Sequence, residues 1–425
     1  MSMTIDVPEI RFMGFSERWL HKTIDDLINE EVIYPPKDGN HGGIHPKATD
    51  YVEYGIPFIM ANNIRGGEIQ YGACYHISLQ QAQTLQKGFA KTGDVLLTHK
   101  GTVGEVAIIG RIEFPYLMLT PQVTYYRICD TSKLDTYFLA TAFRSNSFQK
   151  PLKEEAGGGT RAYIGITAQK GLELSIPQNI EEQKELGNYF QKLDTLITQH
   201  RQKHDKLNNL KKAMLEKMFP KAGETVPEIR FEGFNGDWEK TTLGSYTTFR
   251  RGSFPQPYGN KEWYGGEGSM PFVQVVDVNK KLSLVDDTKQ KISVKAQPRS
   301  VFVSKGSVVV TLQGTIGRVA FTQYDCFVDR TILIFQSFSR RTDPSFWAYT
   351  IQTKFDLEKK LAPGGTIKTI TKEALSSFDV LIPSTEEQVS VGNYFKKLDR
   401  LINHHSQQIT KLKNIKQACL DKMFV

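Results

Sequence analysis

Apolar residues recur at alternating intervals of four and three along two stretches of the chain: Leu186, Phe190, Leu193 and Ile197, then Val391, Phe395, Leu398 and Ile402. That alternation draws an apolar seam along one side of a helix. In the second stretch it continues through Ile409, Leu412, Cys419 and Met423. The pattern predicts two long helices, over 181–219 and 386–424, each about 58 Å long at about 1.5 Å per residue. Asn179 and Ser384 stand at the N-cap positions, and Glu182 and Glu387 follow three residues on, the spacing of a capping box. Elsewhere the periodicity changes. GIPFIMANNI (55–64), LLTHKGTVGEVA (96–107) and GGTRAYIGITAQKGLELSIP (158–177) are apolar, β-branched runs broken by glycine. They read as strands joined by tight turns, with one short helical stretch at most.

Each of these segments comes back. GNYFQKLDTLITQH (187–200) returns 205 positions later as GNYFKKLDRLINHH (392–405), with ten of fourteen residues identical. VPEIRFMGFSERW (7–19) returns as VPEIRFEGFNGDW (226–238), and LEKMFP (215–220) as LDKMFV (420–425). The β-rich runs recur more loosely, as SMPFVQVVDV (269–278), VVTLQGTIGRVA (309–320) and GGTIKTITKEALSSFDVLIP (364–383). The chain is therefore written twice: a leading segment, a β-rich middle and a long helix, in that order each time. The expected architecture is α+β, with β-rich domains over 1–178 and 221–383 and spacer helices over 179–220 and 384–425. Because the middles agree only at sparse positions, one scaffold carries two different surfaces.

A helix of that length needs something to pack against, and its near-copy is the obvious partner. A pseudo-twofold relation between the halves makes the helices an antiparallel coiled coil and brings their midpoints, His200 and His405, together as a polar position that fixes register. The competing arrangement lays each helix on its own domain.

Composition narrows the class. Hydrophobic residues at 39% and charged residues at 24% fit a globular chain. No apolar run reaches the roughly 18 residues needed to span a bilayer, and the start lacks the apolar core of a signal peptide. The four scattered cysteines form no CxxC pair, which argues against zinc and disulfides and for a reducing cytoplasm. Lys and Arg exceed Asp and Glu by 54 to 46, a net +8 that admits an anionic partner such as nucleic acid without requiring one. HGGIH (41–45) has two histidines at helical metal-ligand spacing, but its glycines favour a loop, and no metal site is expected. Walker, HExxH and nucleophile-elbow motifs are missing, and YPPK and PQPY fail as methyltransferase motifs, so the chain reads as non-catalytic.

The doubled series of strand, GTxG turn, GGT, IP, EEQ, GNYFxKLDxLI and long helix resembles the DNA specificity subunits of bacterial type I restriction-modification systems. The likeness spans nearly the whole chain; the departures are one extra residue in IPQNIEEQ against IPSTEEQ, and Val425 in place of Pro220. The resemblance implies a cytoplasmic protein whose two target recognition domains each read half of a bipartite, asymmetric site in double-stranded DNA. It also implies that the helices set the spacing and bind two methyltransferase subunits, to which motor and restriction subunits are added. S-adenosylmethionine, ATP and Mg then belong to those partners, none to this chain. The alternative is a stand-alone two-domain DNA-binding or scaffold protein.

DNA contacts are expected from loops of the middles. The GTxG turns supply Lys100 and Thr102 in one copy and Gln313, Thr315 and Arg318 in the other, although a purely structural hairpin fits the same glycines. The GGT segments add Thr160, Arg161, Tyr163, Thr366 and Lys368. FRRGSFPQPYGNKEW adds Arg250, Arg251 and Tyr258, and Asn62 and Asn63 are suited to adenine.

Overall fold

The structure is a computed structural model that describes residues 7–159, 162–361 and 370–425. The chain divides into two compact units, one made of Met1–Arg201 with Gln407–Val425, the other of Gln202–Ser406. The long helices run Ile180–Lys217 and Thr385–Lys422. Each unit therefore holds the opening part of its own helix and the closing part of the other.

In the first unit the strands Val95–Thr98, Val106–Ile108, Val123–Tyr126 and Lys37–Asp38 form an antiparallel sheet. Period-two alternation assigns its faces. Val95, Leu97, Val106 and Tyr126 join a core with Phe138, Phe190 and Phe424, whereas Leu96, Ala107, Val123 and Tyr125 face a second sheet through Ile59 and Leu119. Every residue of Val95–Thr98 is buried because both faces are covered. In the second sheet, Ile56–Ile59 runs parallel to Leu117–Leu119. The second unit repeats this plan. Val308, Val310 and Leu333 meet the helices, Val309, Ala320 and Ile334 meet the other sheet, and Met270–Val273 runs parallel to Cys326–Val328.

Several positions of the repeated helix sequence have a task, and the task is the same in both units. A Cβ on Gly187 would come within 2.7 Å of Phe138 N, and one on Gly392 within 2.4 Å of Asp343 Oδ1, so a neighbouring helix approaches where only glycine fits. Tyr189 lies edge-on to Phe12 at 5.8 Å, and Tyr394 edge-on to Phe231 at 6.0 Å. Asp194 pairs with Lys416 at 2.5 Å in the first unit, and Asp399 with Lys211 at 2.6 Å in the second. Phe424 stacks on Phe138 and Phe219 on Phe346, so the MF that ends each helix closes the core of the unit it reaches. Within each unit the two helix segments run antiparallel: Phe190, Asp194 and Lys416, Phe424 pair in opposite order along the chain, as do Phe395, Asp399 and Lys211, Phe219.

The seam residues Leu186, Phe190 and Leu193, like Val391, Phe395 and Leu398, join the facing helix segment and the unit's globular core in one cluster. Ile197 and Ile402 are also buried; His200 in the first unit and His405 in the second are half-buried. One expectation needs correction: the capping boxes are not made. Asn179 Oδ1 accepts from Glu181 N, and Ser384 Oγ from Glu387 N, but the Glu182 and Glu387 side chains turn away. Glu182 accepts from Arg11 Nε and Nη2 at 2.6 and 2.7 Å and from Trp19 Nε1 at 3.3 Å. Glu387 takes the same three bonds from Arg230 and Trp238. A buried carboxylate needs such charged donors, which a backbone N–H alone does not replace. The adjoining Gln183 and Gln388 bind the backbone at Asp135 and Asp343. EEQ is thus the clamp that locks each leading segment and each middle to its helix.

The leading segments close the frame. Ile10 N donates to Lys422 O at 2.9 Å, and Ile229 N donates to Lys217 O at 2.9 Å. The strand Leu20–Thr23 pairs with Glu173–Ile176, as Glu239–Thr242 does with Asp379–Ile382.

Candidate nucleic-acid interface

The GTxG turns are built around one buried hydroxyl. Thr98 Oγ1 donates to the Thr102 carbonyl and accepts from Glu105 N at 2.9 Å; Thr311 does the same with Thr315 and with Arg318 N at 3.0 Å. The second glycine of each turn, Gly104 and Gly317, has positive φ, and a Cβ there would strike Gln149 or Phe355. The glycines are therefore structural, and what the turns present are the exposed side chains at their tips: Lys100 and Thr102 in one unit, Gln313 and Thr315 in the other. Arg318 is tied back instead, donating to Val278 O at 3.2 Å.

Segments distant in sequence meet at the first turn. Lys100 bridges Tyr163, its ammonium lies 5.9 Å from the Tyr163 ring, and Gly101 N donates to Ala162 O at 3.1 Å. Beneath them His99 is fully buried, with Nδ1 on Thr124 Oγ1 and Nε2 on Pro121 O, and burial holds its pKa below the ordinary histidine value. In the second unit the same two positions are Leu312 and Leu333. Thr160, Arg161, Thr366 and Lys368 lie outside the described residues.

The two candidate asparagines part company. Asn63 is buried, its Oδ1 accepting from Met60 N at 2.8 Å and its Nδ2 donating to Ala73 O at 3.0 Å, so no amide edge is left for a base. Asn62, one residue earlier, is exposed. Asp277 repeats the cap by accepting from Gln274 N, and Val276 takes the outward position with 64% of its surface exposed. The turn is linked to the GTxG turn through Gln122, whose carbonyl accepts from His99 N and whose side chain accepts from Ala61 N. In the second unit Thr331 O accepts from Leu312 N in the corresponding bond.

A recess of about 390 Å³ opens there in the second unit, lined by Tyr258, Gln274, Val276, Arg330 and Thr331 among others. Tyr258 serves as its wall. The Tyr258 hydroxyl donates to Asp329 at 2.5 Å, the ring stacks on Phe254, and the Arg330 guanidinium lies 5.4 Å above the ring. Arg250 and Arg251 are exposed on the edge strand Thr247–Arg251, with Arg251 Nη2 reaching Ile370 O. Gln122, Arg330 and Thr331 were missed in the sequence because TPQV and VDRTI share no motif; only the order of the following strands relates them.

Among the described residues no three His, Cys, Asp or Glu gather as a metal site, and no helix is long and apolar enough to cross a membrane. His41 pairs with Asp38 at the end of the preceding strand, and His45 with the Asn40 carbonyl in the loop.

A family model for the type I restriction modification DNA specificity domain matches residues 19–209 and again 235–414. The putative type I restriction enzyme MjaX specificity subunit of Methanocaldococcus jannaschii is 26% identical over 393 residues, 84% of each chain. The MjaVIII specificity subunit of the same organism is 21% identical over 188 residues, 44% of this chain and 42% of that one. The crystal structure of the S subunit of a type I restriction-modification system from M. genitalium aligns over 99% of both chains with a TM-score of 0.65 at 15% identity. A chain from a structure concerned with complex assembly and conformational transition of the type I system aligns over 96% of this chain and 97% of that one, with a TM-score of 0.51 at 17% identity. At these identities the two structures bear on the fold.

Proposed function

The chain belongs to the type I restriction-modification DNA specificity family, and we propose that its two units read the two halves of one bipartite, asymmetric DNA site for partner subunits. The observation that carries this reading is one turn framework presenting unlike side chains at matched places: Lys100 against Gln313, Asn62 against Val276, Gln122 against Thr331. Unlike readers on a repeated frame suit an asymmetric site, where identical ones would suit a palindrome. Asn62 has the amide that pairs with adenine, and Val276 the methyls that pack on thymine. Lys100, Arg250 and Arg251 offer cations to phosphates.

The chain itself supplies recognition without catalysis. Adenine methylation and ATP-dependent cutting fall to partner subunits, with S-adenosylmethionine, ATP and Mg²⁺ held there. Two methyltransferase subunits find matched docking positions on the helices. Leu196 and Ile415 are exposed in the first unit, and Leu401 and Leu210, their counterparts in the repeat, are exposed in the second. Paired exposed apolar side chains of this kind favour protein contact.

Co-expression with a cognate methyltransferase subunit and genome-wide mapping of modified adenines tests the reading. A split motif with one target adenine in each half is expected, and replacing residues 239–380 by the middle of another family member should alter one half only. Altered specificity in both halves sinks the modular reading. Tight binding of one bipartite sequence by the purified chain, with no methyltransferase co-purifying, favours the stand-alone alternative.

A further inference from the structure

A recess of about 380 Å³ in the first unit lies between the GTxG turn, the hairpin at Gly66 and Gly67, and the two helix segments. Five cationic side chains line it, Arg144, Lys153, Arg201, Lys413 and Lys416, against the carboxylates of Glu105 and Asp194. This leaves an excess of three positive charges. Both carboxylates are already engaged: Asp194 by Arg144 at 3.2 Å and Lys416 at 2.5 Å, Glu105 by Gly66 N at 3.0 Å. Lys153, Arg201 and Lys413 form no ion pair among the described residues. The Arg144 guanidinium is anchored by bonds to Asp194 and the Val106 carbonyl, yet its Nε is buried with no acceptor. A buried unpaired donor of this kind is costly unless something accepts from it. Burial, reinforced by the Arg144 charge, also holds the Lys416 ammonium below its ordinary pKa despite Asp194.

The repeat shows that the fold does not need this charge. The second unit keeps the Lys211–Asp399 pair, but the positions of Arg144, Arg201 and Lys413 are held there by Gln352, Ser406 and Asn208. Three cations stand in one copy where three neutral polar residues stand in the other, while Arg318 takes the position of Glu105. Arg201 and Lys413 lie on the long helices, whose backbone plan the two units share, so their charge has a cause outside packing.

We propose that this recess is a phosphate seat, filled by one backbone phosphate of the DNA strand beside the half-site that the first unit reads, with Arg201 and Lys413 closing on it from the helices. The proposal rests on the DNA-reading function above and adds an asymmetry to it: the first unit grips the backbone at a place where the second does not. A phosphate oxyanion matches guanidinium and ammonium donors in charge and in hydrogen bonding.

The test uses the assembled complex with its methyltransferase subunits and the double variant Arg201→Ser with Lys413→Asn, the residues the second unit carries, so folding is not at issue. Affinity for the cognate duplex should fall about tenfold, and the slope of log affinity against log salt should shrink by about 0.9 for the phosphate lost. The methylated sequence should stay the same. Duplexes carrying a neutral methylphosphonate at successive positions should locate one position that weakens the wild-type complex and leaves the variant unmoved. Arg144→Gln, checked for an unchanged melting temperature, should give the same pattern. Unaltered affinity and salt slope in the double variant overturn the proposal. So does stabilisation of the chain by inorganic phosphate with DNA affinity untouched, which would make the recess a seat for a free anion. If the wild-type complex methylates no split sequence at all, it is the earlier reading that fails.

Discussion

The two units share a frame and differ in what they mount on it, and the boundary between shared and different is sharp. The Arg–Glu–Trp clamp, the threonine-centred turn, the helix glycine and the closing phenylalanine recur with bond lengths matching to about 0.1 Å or identical partners. What differs is mostly exposed or lines a recess. The exception is buried: the first unit fills the space under its turn with the polar pair His99 and Thr124, the second with Leu312 and Leu333. The helix after the sheet differs too. It breaks in the first unit at Ser145, which caps Asn146–Glu155, and runs unbroken over Pro344–Leu361 in the second. Arg144 sits at that break, so the charged recess and the interrupted helix are one difference, not two.

The largest test of the shared frame is at the closing phenylalanines. Phe424→Ala should cost about 3–5 kcal/mol in the first unit and Phe219→Ala as much in the second. Hydrogen exchange should show the loosening at Val95–Thr98 for the former and at Val308–Thr311 for the latter; loosening in the opposite unit would break the assignment of helix ends to cores. Next in size come the clamps. Arg11→Met and Arg230→Met each strand a carboxylate that is only 1% exposed, a loss of about 3 kcal/mol by urea unfolding. The equality of the two losses is the sharper prediction.

The buried pair gives a smaller, pH-dependent effect. Because the folded His99 pKa is lowered by burial, the unfolded chain takes up a proton below about pH 6.5 that the folded chain resists. Stability contributed by this site is therefore full above that value and declines as the pH falls toward the lowered one. His99→Leu with Thr124→Leu, which copies the second unit, should flatten that decline; an unchanged pH profile would show that other groups cause it. Least in stability, and greatest in information, is Val276→Asn. It should move stability by less than about 0.5 kcal/mol while changing the base preferred at one position of one half-site.

Much of the frame was legible because it is written twice. Periodicity gave the helices, β-branched runs the sheets, and spaced glycines the turns. Glu182 was misread because a capping box is a local pattern, while its true partner Arg11 is 171 residues away; the repetition of Arg and Trp in both leading segments was the available signal. Asn62 and Asn63 could not be separated by residue type, since which of two neighbours points inward is set by the backbone turn. Asp277 at the position of Asn63 was the clue, because both side chains can accept the same N–H. The cationic recess was invisible for a different reason. Its five cations come from separated segments, and none of the five belongs to a recurring motif.

The bond from Ile10 N to Lys422 O repeats a contact that, in the second half, lies beside a covalent connection of only a few residues. The structure therefore treats the order of its parts as a ring rather than a line. Opening the chain between Pro220 and Val226 and joining Val425 to Val7 through a bridge such as KAGET should yield a permuted protein with the same two readers. Which half is encoded first is, for this architecture, a matter of genetics and not of shape.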